Sequence, residues 1–142
     1  MKITLLTALS IVAMASAAPL SAEVLHFTAK LDAASETPAN GSAGKGSADV
    51  MVDTDSKQLS WTVTYSGLTG PATMGHFHGP AAPGVAAGVQ VPMTGPLDSP
   101  ITGTAEITDG QIGDLRGGLW YINIHTAKNP KGEIRGQLTQ AK

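Results

Sequence analysis

Four histidines and no cysteine define what metal or nucleophile chemistry this 142-residue chain can support. Disulfides, thiolate zinc sites and cysteine nucleophiles are excluded, so a metal would need imidazole, thioether, carboxylate or backbone oxygen. Two histidines are spaced by two in Gly75-His76-Phe77-His78-Gly79. Side chains of an extended chain alternate between faces, so His76 and His78 share the face opposite Phe77. The same alternation gives Trp120, Ile122 and Ile124 one apolar face and leaves Tyr121, Asn123 and His125 on the other. If the two segments neighbour each other in a sheet, three imidazoles converge outside the core. Three neutral imidazoles suit Cu(II), Zn(II) or Ni(II), and a thioether from Met74 or Met93 would add affinity for Cu(I). Copper is therefore the favoured ion and zinc the alternative, with His76, His78 and His125 as ligands. Strand adjacency is not given by spacing, and solvated outward histidines are the competing reading. His26 stands apart and reads as an exposed side chain on an edge strand.

Other chemistry finds little support. The chain has no Gly-x-Ser-x-Gly, Gly-x-x-x-x-Gly-Lys or His-Glu-x-x-His, which removes nucleophile elbows, phosphate cradles and zinc-protease helices. Asp53 and Asp55 read as turn carboxylates, since the remaining oxygens of a calcium loop are missing. Glu133 and Arg135 share a face if extended, and read as a surface ion pair. Charged residues are 14% and the net charge is -2, so no basic surface exists for nucleic acid.

The elements that must position the histidines are strands. Gly and Pro supply 17 and 9 residues, and aromatics only 4%, which favours short strands joined by turns. Leu59, Trp61, Val63 and Tyr65 alternate strictly with Ser60, Thr62, Thr64 and Ser66. Leu25, Phe27, Ala29 and Leu31 share one face of an earlier strand, as do Gly46, Ala48, Val50 and Val52 of the next. Later strands are expected at 72–78, around 85–91, and at 101–108, 119–126 and 133–138. Thr108-Asp109-Gly110-Gln111 has capping-box spacing and predicts one short helix that ends at Gly117, with Ile112 and Leu115 on its apolar side. Residues 79–100 read as a surface excursion carrying one short strand, and 34–46 as an ordered loop or edge. The expected fold is all-β: an antiparallel, Greek-key-like sandwich or flattened barrel of about eight strands with one short helix.

Residues 1–22 read as a secretory signal peptide. Lys2 supplies the positive start, 3–15 is mostly apolar, and Ala15-Ser16-Ala17 offers a small-x-small cleavage site, with Ala22 as a second. The apolar run is shorter than the ~20 residues of a membrane span. Residues 23–142 then form a single domain, expected in the periplasm or secreted, with no membrane attachment after cleavage and no signal for its oligomeric state.

Several segments together resemble the CHRD domain, named for its occurrence in chordin and also found alone in secreted bacterial proteins. They are Ser35-Glu36-Thr37-Pro38, Ser66-Gly67-Leu68, Gly75-His76-Phe77-His78-Gly79-Pro80-Ala81, Tyr121-Ile122-Asn123-Ile124-His125-Thr126 and Gly132-Glu133-Ile134-Arg135-Gly136-Gln137-Leu138. The resemblance implies an extracellular β domain and covers nearly all of 23–142. It carries over the histidine set by position: His76 and His78 match the His-x-His segment, and His125 the Asn-x-His-Thr segment. His76-Phe77-His78 is also similar to the His-x-His element of Cu/Zn superoxide dismutases, but both cysteines and the zinc loop of those enzymes are missing. The favoured function is an exported metal-binding protein that holds copper. A structural or protein-interaction domain with an extracytoplasmic partner comes second. A copper-dependent dismutase-like enzyme comes third, so the balance leans away from catalysis.

Overall fold

Alternation decides which residues of each strand face the interior. In β1 (Val24–Asp32), Leu25, Phe27, Ala29 and Leu31 are buried, and Ala48, Val50 and Val52 repeat the pattern in β2 (Lys45–Asp53). Leu59, Trp61 and Val63 do so in β3 (Gln58–Ser66), while Tyr65 at its end is only half-buried. Each large apolar side chain taken from water contributes roughly 1.5–3 kcal/mol, so these three strands alone supply a large share of the folding free energy. The computed structural model describes residues 22–142. The signal-peptide reading, 1–22, lies outside the described residues except for its last position, Ala22.

The remaining elements are β4 (Ala72–His78), β5 (Val89–Pro92), β6 (Ile101–Glu106), α1 (Asp109–Arg116), β7 (Tyr121–Thr126), β8 (Ile134–Gln137) and the two-residue β9 (Thr139–Gln140). Eight strands run in the order β5-β4-β7-β8-β1-β2-β3-β6, with β9 beside β1. All pairings are antiparallel. The sheet curls into a nearly closed barrel, so strands distant in this order meet through their inner faces. Trp61 of β3 and Phe77 of β4 pack edge to face with ring centroids 5.2 Å apart, and Trp120 lies 6.1 Å from Phe77. The all-β expectation of about eight strands and one short helix therefore holds.

Helix α1 forms as its capping box predicts. Thr108 accepts from the Gln111 N–H while the Gln111 side chain accepts from the Thr108 N–H, and Ile112 and Leu115 are buried. Gly117 caps its end.

Two details differ from the alternation reading. The strand expected near 85–91 begins only at Val89, because the preceding backbone turns away to contact β4 and β7. His26 is on no edge, since β1 lies between β2 and the β8 and β9 strands. Its Nε2 pairs with Asp49 across β2 at 2.8 Å.

Candidate metal centre

The decisive pairing is β4 beside β7, in which Met74, His76 and His78 stand opposite His125, Asn123 and Tyr121. Phe77 and Ile124 fill the core beneath, so the alternate residues form a polar row on the outside of the barrel. One nitrogen from each of His76, His78 and His125 lies within 4.8 Å of the others. His76 Nδ1 is 3.2 Å from His125 Nε2, and the His76 ring stands nearly perpendicular to the other two. Nitrogens bound to one ion at about 2.0–2.1 Å lie within about 4 Å of each other, so small ring rotations would close the set.

Backbone carbonyls fix two of the tautomers. His78 Nδ1 donates to Ala87 O and His125 Nδ1 to Pro130 O, both at 2.9 Å, and a carbonyl can only accept. A neutral ring then keeps its lone pair on Nε2. Both Nε2 atoms lie 3.0 Å from Asn123 Oδ1, which is itself an acceptor. Burial pushes the pKa of His76 down, and the neighbouring His125 and His78 push it further. Burial also lowers that of His125, outweighing the Pro130 carbonyl, with His78 adding to the effect. Both rings are thus biased toward the neutral form, in which His76 Nδ1 can donate to His125 Nε2, while His78 Nε2 and Asn123 Oδ1 face each other as two acceptors.

Loop backbone reaches the histidines at two places, Ala87 and Pro130, so the site is less open than an outward strand face would suggest, and His125 is buried. The loop after β4 folds back over His78: Tyr121 Oη accepts from the Ala87 N–H at 3.1 Å and donates to its carbonyl at 3.3 Å. The Tyr121 ring stacks on His78 with a 2° interplanar angle and centroids 4.9 Å apart. Arg135 lies 3.5 Å from the Tyr121 centroid and donates to Val85 O at 2.8 Å and Thr37 Oγ1 at 3.1 Å. Gly79 opens this loop where a Cβ would strike the Trp120 ring, so a larger residue there would displace either the loop or the core.

The two thioethers separate. Met74 stands on the outer row opposite His125 and is half-exposed, whereas Met93 is packed in the hydrophobic core and is not a ligand. Nor do Glu133 and Arg135 form a surface pair. Both are buried, and Glu133 lies just before β8 with its carboxylate among hydroxyls. Ser42 Oγ and the Thr69 N–H donate to its Oε1 at 2.5 and 2.8 Å, and Thr69 Oγ1 and Thr126 Oγ1 to its Oε2 at 2.7 and 2.5 Å. Burial alone would raise this carboxyl, but the hydrogen bonds from Ser42, Thr126 and Thr69 bring it down to about 2.

The residues that reading by spacing missed are Asn123 and Glu36. Asn123 was visible on the correct face between the histidines. Glu36, buried in the loop after β1, carries no periodic signal at all.

An antiparallel open barrel with a roofed three-histidine cluster on its outer face is the class of protein this geometry defines. The CHRD domain model matches residues 27–138, a span that includes every histidine of the cluster, and the chain belongs to the CHRD domain family. No curated protein and no solved structure matches the chain.

Proposed function

We propose that this CHRD domain binds a transition metal through His76, His78 and His125, with copper favoured and zinc the alternative, and buffers or delivers it outside the cytoplasm. The observation that carries the reading is the convergence of one nitrogen from each of the three histidines to within 4.8 Å, with the His78 Nε2 lone pair set 3.0 Å from another acceptor, Asn123 Oδ1. Buried polar atoms are normally partnered, and a cation satisfies all of them at once. The soft, half-exposed Met74 on the same row favours Cu(I) over zinc. Export is supported by the signal-like character of residues 1–22, and fractionation of the producing cell tests it.

Titration calorimetry of metal-free protein with Cu(I), Cu(II) and Zn(II) tests the binding. The expected result is a single site of micromolar or tighter affinity, abolished in the His76→Ala, His78→Ala double variant. Binding no tighter than millimolar, or indifferent to that double change, overturns the proposal and leaves a structural or protein-interaction domain. The dismutase reading has less behind it. Arg135, the cation that could have guided an anion, is 2% exposed and held by Thr37, Val85 and Tyr121.

A further inference from the structure

Charge is distributed unevenly around the barrel. Residues 58–97 contain no Asp, Glu, Lys or Arg, although the chain has 9 basic and 11 acidic residues in all. Strands β5-β4-β7-β8 are neighbours, and the one residue of those four types among them, Arg135, is 2% exposed. The other half of the sheet, β1-β2-β3-β6, presents Lys30, Lys45, Asp49 and Glu106 to water. One half of the strand surface therefore carries exposed ionic groups and the other does not.

The uncharged half is also where apolar side chains stay exposed. Five large hydrophobic residues are exposed among the described residues, and three of them, Met74, Val85 and Val89, flank the histidine cluster. Met74 stands opposite His125 in the β4–β7 pair, and Val89 opposite His78 in the β4–β5 pair. Val85 lies in the loop whose Ala87 carbonyl holds His78. The rest of that loop is Gly, Pro and Ala, small residues that another chain can approach closely. Exposed apolar patches mark interaction sites, and the centres of protein interfaces are depleted of charge.

What the face lacks decides which partner fits. Nucleic acid and anionic lipid need exposed Lys or Arg, and a membrane surface also favours exposed Trp or Phe. Both tryptophans and both phenylalanines are in the core. A charged protein surface would lose water from its ionic groups and gain no opposite charge in return. A second copy of this chain brings a face of the same chemistry, and two-fold apposition creates no like-charge pair at any register.

We propose that the outer face of β5-β4-β7-β8 is the interface of a homodimer, formed about a two-fold axis with Val85 and Val89 in contact and both histidine clusters enclosed. With no exposed aromatic or Arg anchor the dimer is weak, with a dissociation constant about micromolar. Dimerisation is independent of metal, so a dimer that binds no ion upholds it and a monomer that binds copper overturns it.

Sedimentation velocity of metal-free protein from about 1 μM to 1 mM should show a mass rising from one chain toward two. Val85→Lys with Val89→Lys places unpaired charge in both halves of the interface and should weaken the dimer by about tenfold or more. Met51→Lys, at a similarly exposed apolar residue on the charged half, should leave it unchanged. His26 supplies a control that needs no substitution, because it lies on β1 in the charged half. Carbethoxylation of His76 and His78 by diethylpyrocarbonate should slow as wild-type protein is concentrated, while that of His26 keeps its rate. Protein that stays monomeric to about 1 mM overturns the proposal. So does a dimer indifferent to the double change, or one that protects His26 in place of His76 and His78. Monomeric protein that sediments with neutral phosphatidylcholine vesicles gives the face to a membrane and overturns it as well. If the double variant does not fold, the histidine footprint of the wild type decides alone.

Discussion

Two buried polar clusters lie side by side along β7, around Asn123 and around Thr126, and are hydrogen-bonded in opposite ways. Around Glu133, four donors converge on a single carboxylate, and every strong acceptor position is used. Around Asn123, acceptors face acceptors. The first arrangement is complete without anything else, and it ties the loops at Ser42 and Thr69 to Thr126. The second leaves the His78 Nε2 lone pair and Asn123 Oδ1 facing each other with no hydrogen between them, the place the proposed cation would take. Buried polar groups of similar burial can thus serve as a staple or as a receptor, and the balance of donors to acceptors separates the two roles.

Exchanging the roles is the sharpest way to break this contrast. Glu133→Ala strands the Ser42, Thr69 and Thr126 donors, and a loss of about 3 kcal/mol is expected in denaturant unfolding, with metal affinity changed far less. The double histidine variant should do the reverse, losing the metal while the metal-free protein stays as stable as before. Comparable losses of stability in both would erase the distinction.

The effect of acid is smaller and has a defined sign. The folded Glu133 carboxyl is held at about 2, below its ordinary 4.5, so the unfolded chain binds its proton more tightly. Its contribution is fully present above pH 4.5 and drains away as pH falls toward 2. Stability followed between those limits should decline in wild type and be flatter in Glu133→Gln. The smallest effect concerns Met74: replacement by Leu should weaken Cu(I) by on the order of fivefold and leave Zn(II) untouched, because the thioether is a soft ligand. Equal weakening of both ions would remove the argument for copper.

Strand periodicity made most of the inner face legible, from Leu25 to Val63, and also the outward direction of His76, His78 and His125. A period of two is a local property, and local properties are what a sequence displays. The adjacency of β4 and β7 was not legible, because two strands some fifty positions apart are joined by packing that no single segment encodes. Glu133 and Arg135 look like an ordinary surface pair on paper, and only the loops at Ser42 and Val85 turn them inward. The burial of Glu36 was not legible, since it sits in a loop without periodicity.

The roof over His78 is read through its backbone. Ala87 is held by its own N–H and C=O, and Val85 by its carbonyl, so between Ala81 and Gly88 only Gly84, with its φ of 80°, is constrained in residue type. Such a latch tolerates drift in composition but not in the number of residues, since one insertion would slide the carbonyl out of register with the imidazole. Relatives of this domain should therefore keep a glycine at the position of Gly84, vary in the other letters of that loop and hold its length constant.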